Sequence, residues 1–169
     1  MDDLDAKSVH ELLTLHSGAL QALQRKGVLR TENNPTGDFA EWLAARAFRL
    51  TLERNAATGF DGQDAKGVRY QIKGRRITAR NPSMQLSAIR NLEKKQFDVL
   101  LAVIFGEDWH VQRAATIPHH CIAQLGPRLR RFSKHVNGHV LYIREELFRI
   151  DGVSDVTSNL RDADPELGT

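Results

Sequence analysis

Polar and apolar residues alternate with period two along residues 60–73. Phe60, Val68, Tyr70 and Ile72 hold the apolar positions and Asp61, Arg69, Gln71 and Lys73 the polar ones, which predicts two strands, each with a core face and a polar face. Between them, Asp64-Ala65-Lys66-Gly67 suits a type I turn followed by a glycine in the left-handed region. Loop length then sets the phase. An odd loop brings Asp61 onto the face of Arg69, Gln71 and Lys73, whereas a two-residue turn would place it with Tyr70 and Ile72. Asp64 stays in the turn and caps it.

The pattern elsewhere predicts the scaffold. A helix is expected from about Asp38 to Arg54, with Phe39, Trp42, Leu43, Ala47, Leu50 and Leu52 as its apolar stripe and Glu41 in its first turns. The apolar run 97–105, interrupted only by Asp98, reads as a central strand covered on both faces, and 109–114 as its neighbour after the turn at Gly106-Glu107-Asp108. Residues 138–143 predict another strand, and 118–125 a helix stopped by Gly126-Pro127. Ahead of all these, Val9, Leu12, Leu13, Leu15, Leu20, Leu23 and Val28 recur at helical spacing, interrupted near Ser17-Gly18, so one or two helices are expected from Ser8 to Leu29. The class that follows is α/β: one domain with a mixed β-sheet flanked by helices. Its parts are an N-terminal helical segment (1–36), a core (37–150) and an acidic C-terminal tail (151–169). In the tail, residues 155–160 form a docking turn and the last residues are expected to be disordered.

Charge adds a direction. The chain of 169 residues carries a net +3, but residues 66–95 hold nine Lys or Arg against the single acid Glu93. Arg69, Arg75, Arg76, Arg80, Arg90, Lys94 and Lys95 thus border the polar strand face, joined by Arg128, Arg130, Arg131 and Lys134 further on. The balancing acids are remote, at Asp2, Asp3 and Asp5 and between Glu145 and Glu166. Such segregation favours a face turned toward a polyanion. Plainer accounts exist for each signal: a solvated hairpin face, a glutamate complementing a helix dipole, an ordinary charged surface.

The order Glu41, Asp61, Gln71-Ile72-Lys73 resembles the PD-(D/E)XK nuclease superfamily, where a helix glutamate precedes an Asp and an (E/Q)-x-K strand. RTENNPTGDFAEWLAARAF, GFDGQDAKGVRYQIKGRR and LSAIRNLEKKQFDVLLAVIF together are similar to a bacterial group within it marked by GYDA...RYQ(I/V)K(S/A/G)R, over roughly residues 10–160. The resemblance implies a restriction-endonuclease-like core and metal-assisted hydrolysis of phosphodiester bonds in DNA, as in restriction or mobile-element systems. It further implies Mg²⁺ or Mn²⁺ held by Asp61, the Gln71 oxygen, the Ile72 backbone carbonyl and Glu41. Lys73 would orient or deprotonate the attacking water. Two departures stand out: Phe60 occupies the proline position, and Gln71 replaces the usual glutamate, removing a negative charge from the metal site.

Three readings stay open: a metal-dependent endonuclease, a nucleic-acid-binding module with weak or no catalysis, and a structural or partner-binding subunit. A homodimer is expected for the first, since cutting a duplex takes two sites. Gln21, Gln24, Arg25, Lys26 and Arg30 after the Ser17-Gly18 break would suit a helix-turn-helix, although such a segment more commonly covers a core or forms a dimer contact. Cys121 is the single cysteine, and the set His119, His120, Cys121, His135 and His139 lacks the paired spacing of a zinc site. With no signal peptide and no apolar stretch of spanning length, the expectation is a cytoplasmic protein without membrane contact.

Overall fold

The computed structural model describes residues 3–54 and 59–164. Two helices come first, α1 (Val9–Arg25) and α2 (Pro35–Phe48), followed by the short strands β1 (Thr51–Leu52) and β2 (Gly62–Gln63). Then come β3 (Arg69–Arg76), β4 (Val99–Phe105), β5 (Val111–Pro118) and the short helix α3 (His119–Gln124). The chain continues through β6 (Arg130–Ser133), β7 (Gly138–Leu141), β8 (Ser154–Asp155) and α4 (Thr157–Asp162). Six strands form one sheet in the order β1-β2-β3-β4-β5-β8, while β6 and β7 make a separate antiparallel ribbon. Only β3 and β4 run parallel within the large sheet, so the protein is α/β with a mixed six-stranded sheet flanked by helices.

Burial follows the strand period. β4 lies in the middle, and Leu100 to Phe105 are all fully buried, as the unbroken apolar run requires. Leu101, Val103 and Phe105 face α2 and α4 together with Ile72. Leu100, Ala102 and Ile104 face the opposite core, where Leu86, Ile89, Ile122 and Leu141 close over them.

β3 divides its residues accordingly. Tyr70 and Ile72 pack on the α2 side. Its register pairs Gln71 with Leu100 and Lys73 with Ala102, on the other face. Gly74 lets α2 come close: a Cβ there would lie 2.6 Å from the Thr36 carbonyl oxygen and 2.8 Å from the Ala40 Cβ.

Several elements differ from the sequence expectation. The break at Ser17-Gly18 is absent, and α1 runs uninterrupted; one interior glycine costs about 1 kcal/mol against alanine, which its helix-favouring neighbours absorb. Without that break, no turn separates a reader helix at Gln21 to Arg30. α2 starts earlier, with Asn34 accepting from the Thr36 N–H and Pro35 in its first turn, and stops earlier, at Phe48. Arg49 then turns left-handed (φ 54°), and Leu50 and Leu52 leave the helix. β5 continues to Pro118, past Ala114. β6 has no counterpart in the expected order. Within the segment read as a tail, β8 pairs with β5 and α4 buries Leu160 completely; residues 165–169, expected to be disordered, lie outside the described part. No helix among the described residues is long and apolar enough to cross a membrane.

Because the two atoms facing Gly74 are backbone oxygen and a helix Cβ, neither can swing aside. Gly74→Ala is expected to lower stability by about 1–3 kcal/mol through overpacking, measured by urea unfolding. An unchanged midpoint would mean that α2 retreats freely.

Candidate metal and phosphate site

The hairpin sets the site's phase. Asp64 and Val68 close the loop (N–H to carbonyl 3.1 Å), with Gly67 left-handed at φ 83°. The Asp64 carboxylate accepts from the Lys66 and Val68 N–H groups, both at 2.9 Å, so its oxygen is spent on the turn. Gly62 pairs with Tyr70 and Gln63 with Arg69, which puts Asp61 opposite Gln71 on the same face.

Pairing on this side of β3 ends there. The Asp61 N–H donates to the Tyr70 carbonyl (2.7 Å), and the next donor along the edge, Ile72 N–H, goes to the Asp61 carboxylate (2.6 Å). The same oxygen, Oδ2, accepts from the Gln71 side-chain amide at 2.7 Å. Hydrogen bonds to a charged acceptor contribute about 1.5–3 kcal/mol each, so this carboxylate is firmly held. A strand residue projects its N–H and C=O to the same side, and the Ile72 carbonyl therefore faces the same open edge.

Glu41 reaches this edge from α2. Burial raises its carboxyl above the usual range, and the negative charge of Asp61 raises it further, while an ion pair with Arg30 partly offsets both. Arg30 is fixed in turn: its backbone N–H donates to Asp38 (2.8 Å) and its guanidinium to the Glu53 carbonyl (2.8 Å). The fold thus brings Asp61, Gln71 and the Ile72 backbone together, with the Glu41–Arg30 pair linked to them through Glu53, whose carbonyl accepts from Arg30 and whose N–H donates to the Asp61 carbonyl (2.9 Å). Arg30, which the sequence offered only as part of a helix-turn-helix, joins Glu41 here, a link no periodicity shows between a loop arginine and a helix glutamate eleven positions on.

Lys73 lies two residues further, about 7 Å along the strand. It has no hydrogen-bond or ion-pair partner among the described residues and opens on a cleft of about 560 Å³ that Arg90, Arg131, Ser133 and His135 also line. Asp61 and Gln71 stand outside this cleft. Its walls are the 85–90 segment and the β6–β7 ribbon, joined by paired hydrogen bonds between Ile89 and His139 at 2.8 and 2.9 Å.

The other basic residues divide by use. Arg69 makes a two-pronged pair with Asp98 (2.8 and 3.0 Å). Arg75 ties down the following turn through Asn81 (2.8 Å) and the Ser83 carbonyl (3.2 Å). Arg76 turns to the α2 face, donates to the Glu107 carbonyl and lies over the Trp109 ring. These three are clamps at the ends of β3. Arg80, Lys94 and Lys95 are exposed, and Arg90 reaches the cleft wall with its Nε on the Val136 carbonyl (3.3 Å). Arg128 pairs with Glu146. Outside the site, the His119 ring contacts the Leu92 carbonyl (2.8 Å) and Cys121 the Asp151 carbonyl (3.4 Å). No three His, Cys, Asp or Glu gather as metal ligands among the described residues; the Asp61 site has two carboxylates, with an amide and a main-chain carbonyl beside them.

No protein-family model matches the chain, and no curated protein does. The local geometry and chemistry therefore carry the functional argument.

Hydrogen bonds from the Arg69 side chain, then from its backbone N–H, hold the Asp98 carboxyl down at about 2 against an ordinary 3.8. A depressed acid stabilises the fold above its ordinary value and loses that contribution as pH falls toward the folded one. Asp98 is 45% exposed, so solvent limits the effect to about 1 kcal/mol or less. Asp98→Asn should therefore melt below wild type at neutral pH, the gap closing between pH 3.8 and about 2; a gap constant across that window would contradict the assignment.

Proposed function

We propose that this protein is a divalent-metal-dependent phosphodiesterase acting on DNA, with a restriction-endonuclease-like core of the PD-(D/E)XK type. The observation that carries the reading is the Asp61 carboxylate held at the open edge of β3 by the Gln71 amide and the Ile72 N–H, with Glu41 near enough to feel its charge.

The donors suit a hard cation. Two carboxylates, an amide and a main-chain carbonyl form an all-oxygen set, the preference of Mg²⁺ and Mn²⁺. Electrostatics agree, since Asp61 disfavours the charged form of Glu41 and a cation would reverse that effect. The Gln71 amide offers its nitrogen to Asp61; turned over, it offers its oxygen. Mg²⁺ bound there would polarise a phosphoryl oxygen and neutralise charge developing in the transition state.

This chain's residues supply the rest. Lys73 projects from the same strand face as Gln71 and, with no partner among the described residues, is free to orient a water or steady a departing oxygen. Arg90, Arg131 and His135 line the cleft beside it, where they would neutralise phosphates flanking the scissile one.

One observation favours a second reading, a module that binds nucleic acid without cutting it: Arg30 already occupies the Glu41 carboxylate. Incubating the protein with plasmid and linear DNA in Mg²⁺, Mn²⁺ or EDTA separates the two. Metal-dependent nicking is expected, falling about 100-fold or more in Asp61→Asn and Lys73→Ala while DNA binding persists. Arg131→Ala should instead weaken binding and flatten its salt dependence by about one unit of slope. Cleavage at wild-type rate by Asp61→Asn would remove the assignment, and salt-sensitive binding without cleavage would establish the module.

A further inference from the structure

We propose that α1 is a self-association helix, packing antiparallel against α1 and the groove beside it on a second copy of this chain. The helix is well specified: the Ser8 N–H donates to Glu11 Oε2 (2.8 Å) and Ser8 Oγ accepts from the Glu11 N–H (3.4 Å), a reciprocal cap. Yet none of its 17 residues is buried. Among the described residues, six large apolar side chains are exposed, and five belong to α1 and its lead-in: Leu4, Val9 (70%), Leu12, Leu13 (60%) and Leu15. So dense a cluster on one helix marks an interaction surface.

The stripe has two halves. Val9, Leu12, Leu13, Leu20 and Leu23 fall on one face at helical spacing. The second half, Leu20 and Leu23, borders an apolar groove of about 610 Å³ whose far wall carries Phe39, Trp42 and Trp109. Among the described residues nothing lies upon the first half. Within them the molecule thus has a groove without a filler and a half-stripe without a cover on the same helix, the self-complementary arrangement that a twofold axis satisfies.

Charge selects the second copy and its direction. Exposed Asp3 and Asp5 mark the N-terminal end, and exposed Arg25 and Lys26 the C-terminal end. An antiparallel crossing sets the acids of one copy against the bases of the other and opposes the helix dipoles, whereas a parallel one would put like charges together.

The full chain, studied by sedimentation equilibrium at micromolar concentration in EDTA without DNA, should run at twice the chain mass of 19.0 kDa. Leu12→Asp with Leu13→Asp should run at the single mass with an unchanged circular dichroism spectrum at room temperature, because both positions are exposed in the isolated molecule. Asp3→Lys with Asp5→Lys should weaken the dimer, and adding Arg25→Glu with Lys26→Glu should restore it. A wild-type chain of single mass would overturn the proposal, as would a dimer indifferent to the two Asp substitutions or to the charge reversals. Neither metal nor DNA enters the measurement, so its outcome is independent of the nuclease reading.

Discussion

A strand edge that loses its partner must satisfy its donors another way, and here the Asp61 carboxylate does so. β2 contributes two pairs to β3 and ends, leaving the Ile72 N–H to the Asp61 side chain at 2.6 Å. That bond holds a negative charge beside an open edge and aligns the Gln71 amide on it. It also creates the site's tension, because Glu41 arrives from α2 half-shielded from water and meets a like charge. Arg30 offsets part of this cost from a loop that Asp38 and Glu53 hold in place. A longer β2 would cover the edge and remove the opening that Glu41 uses.

β3 keeps structure and chemistry apart by alternation. Its even positions, Tyr70, Ile72 and the glycine at 74, accept α2; its odd positions, Gln71 and Lys73, face the other side of the sheet. The arginines at either end secure the strand, through Asp98 at its start and the Asn81 and Glu107 segments at its close. Counting cations overstates the charge available to a ligand, since Arg69, Arg75 and Arg76 are engaged in protein contacts. Open positive charge remains in the cleft at Lys73, Arg90 and Arg131 and on the exposed Arg80, Lys94 and Lys95.

The hairpin was legible because its signals are local: period two, a turn ending in Gly67, and a loop length that fixes the phase of Asp61. The central strand was legible because burial on both faces demands an unbroken apolar run. What escaped depended on contacts distant in sequence. α2 ends at an arginine in a left-handed conformation, where no glycine announces a stop. β6 reads RRFS, half charged, and becomes a strand because β7 pairs with it, β7 being bridged on its other side to the 85–89 segment. β8 and α4 sit in an acidic stretch, where the apolar anchors are few and only Leu160 is completely buried. Arg30 joins the site through a loop that no period describes, and the Lys73 cleft needs a ribbon that arrives some sixty residues later.

The proposed role rests on the paired carboxylates accepting a divalent cation. Titrating Mn²⁺ into the protein and counting free ion by electron paramagnetic resonance, without nucleic acid, tests this directly. Wild type should remove Mn²⁺ from solution saturably, with Asp61→Asn leaving it free. Equal free Mn²⁺ in both proteins at every concentration would contradict the account.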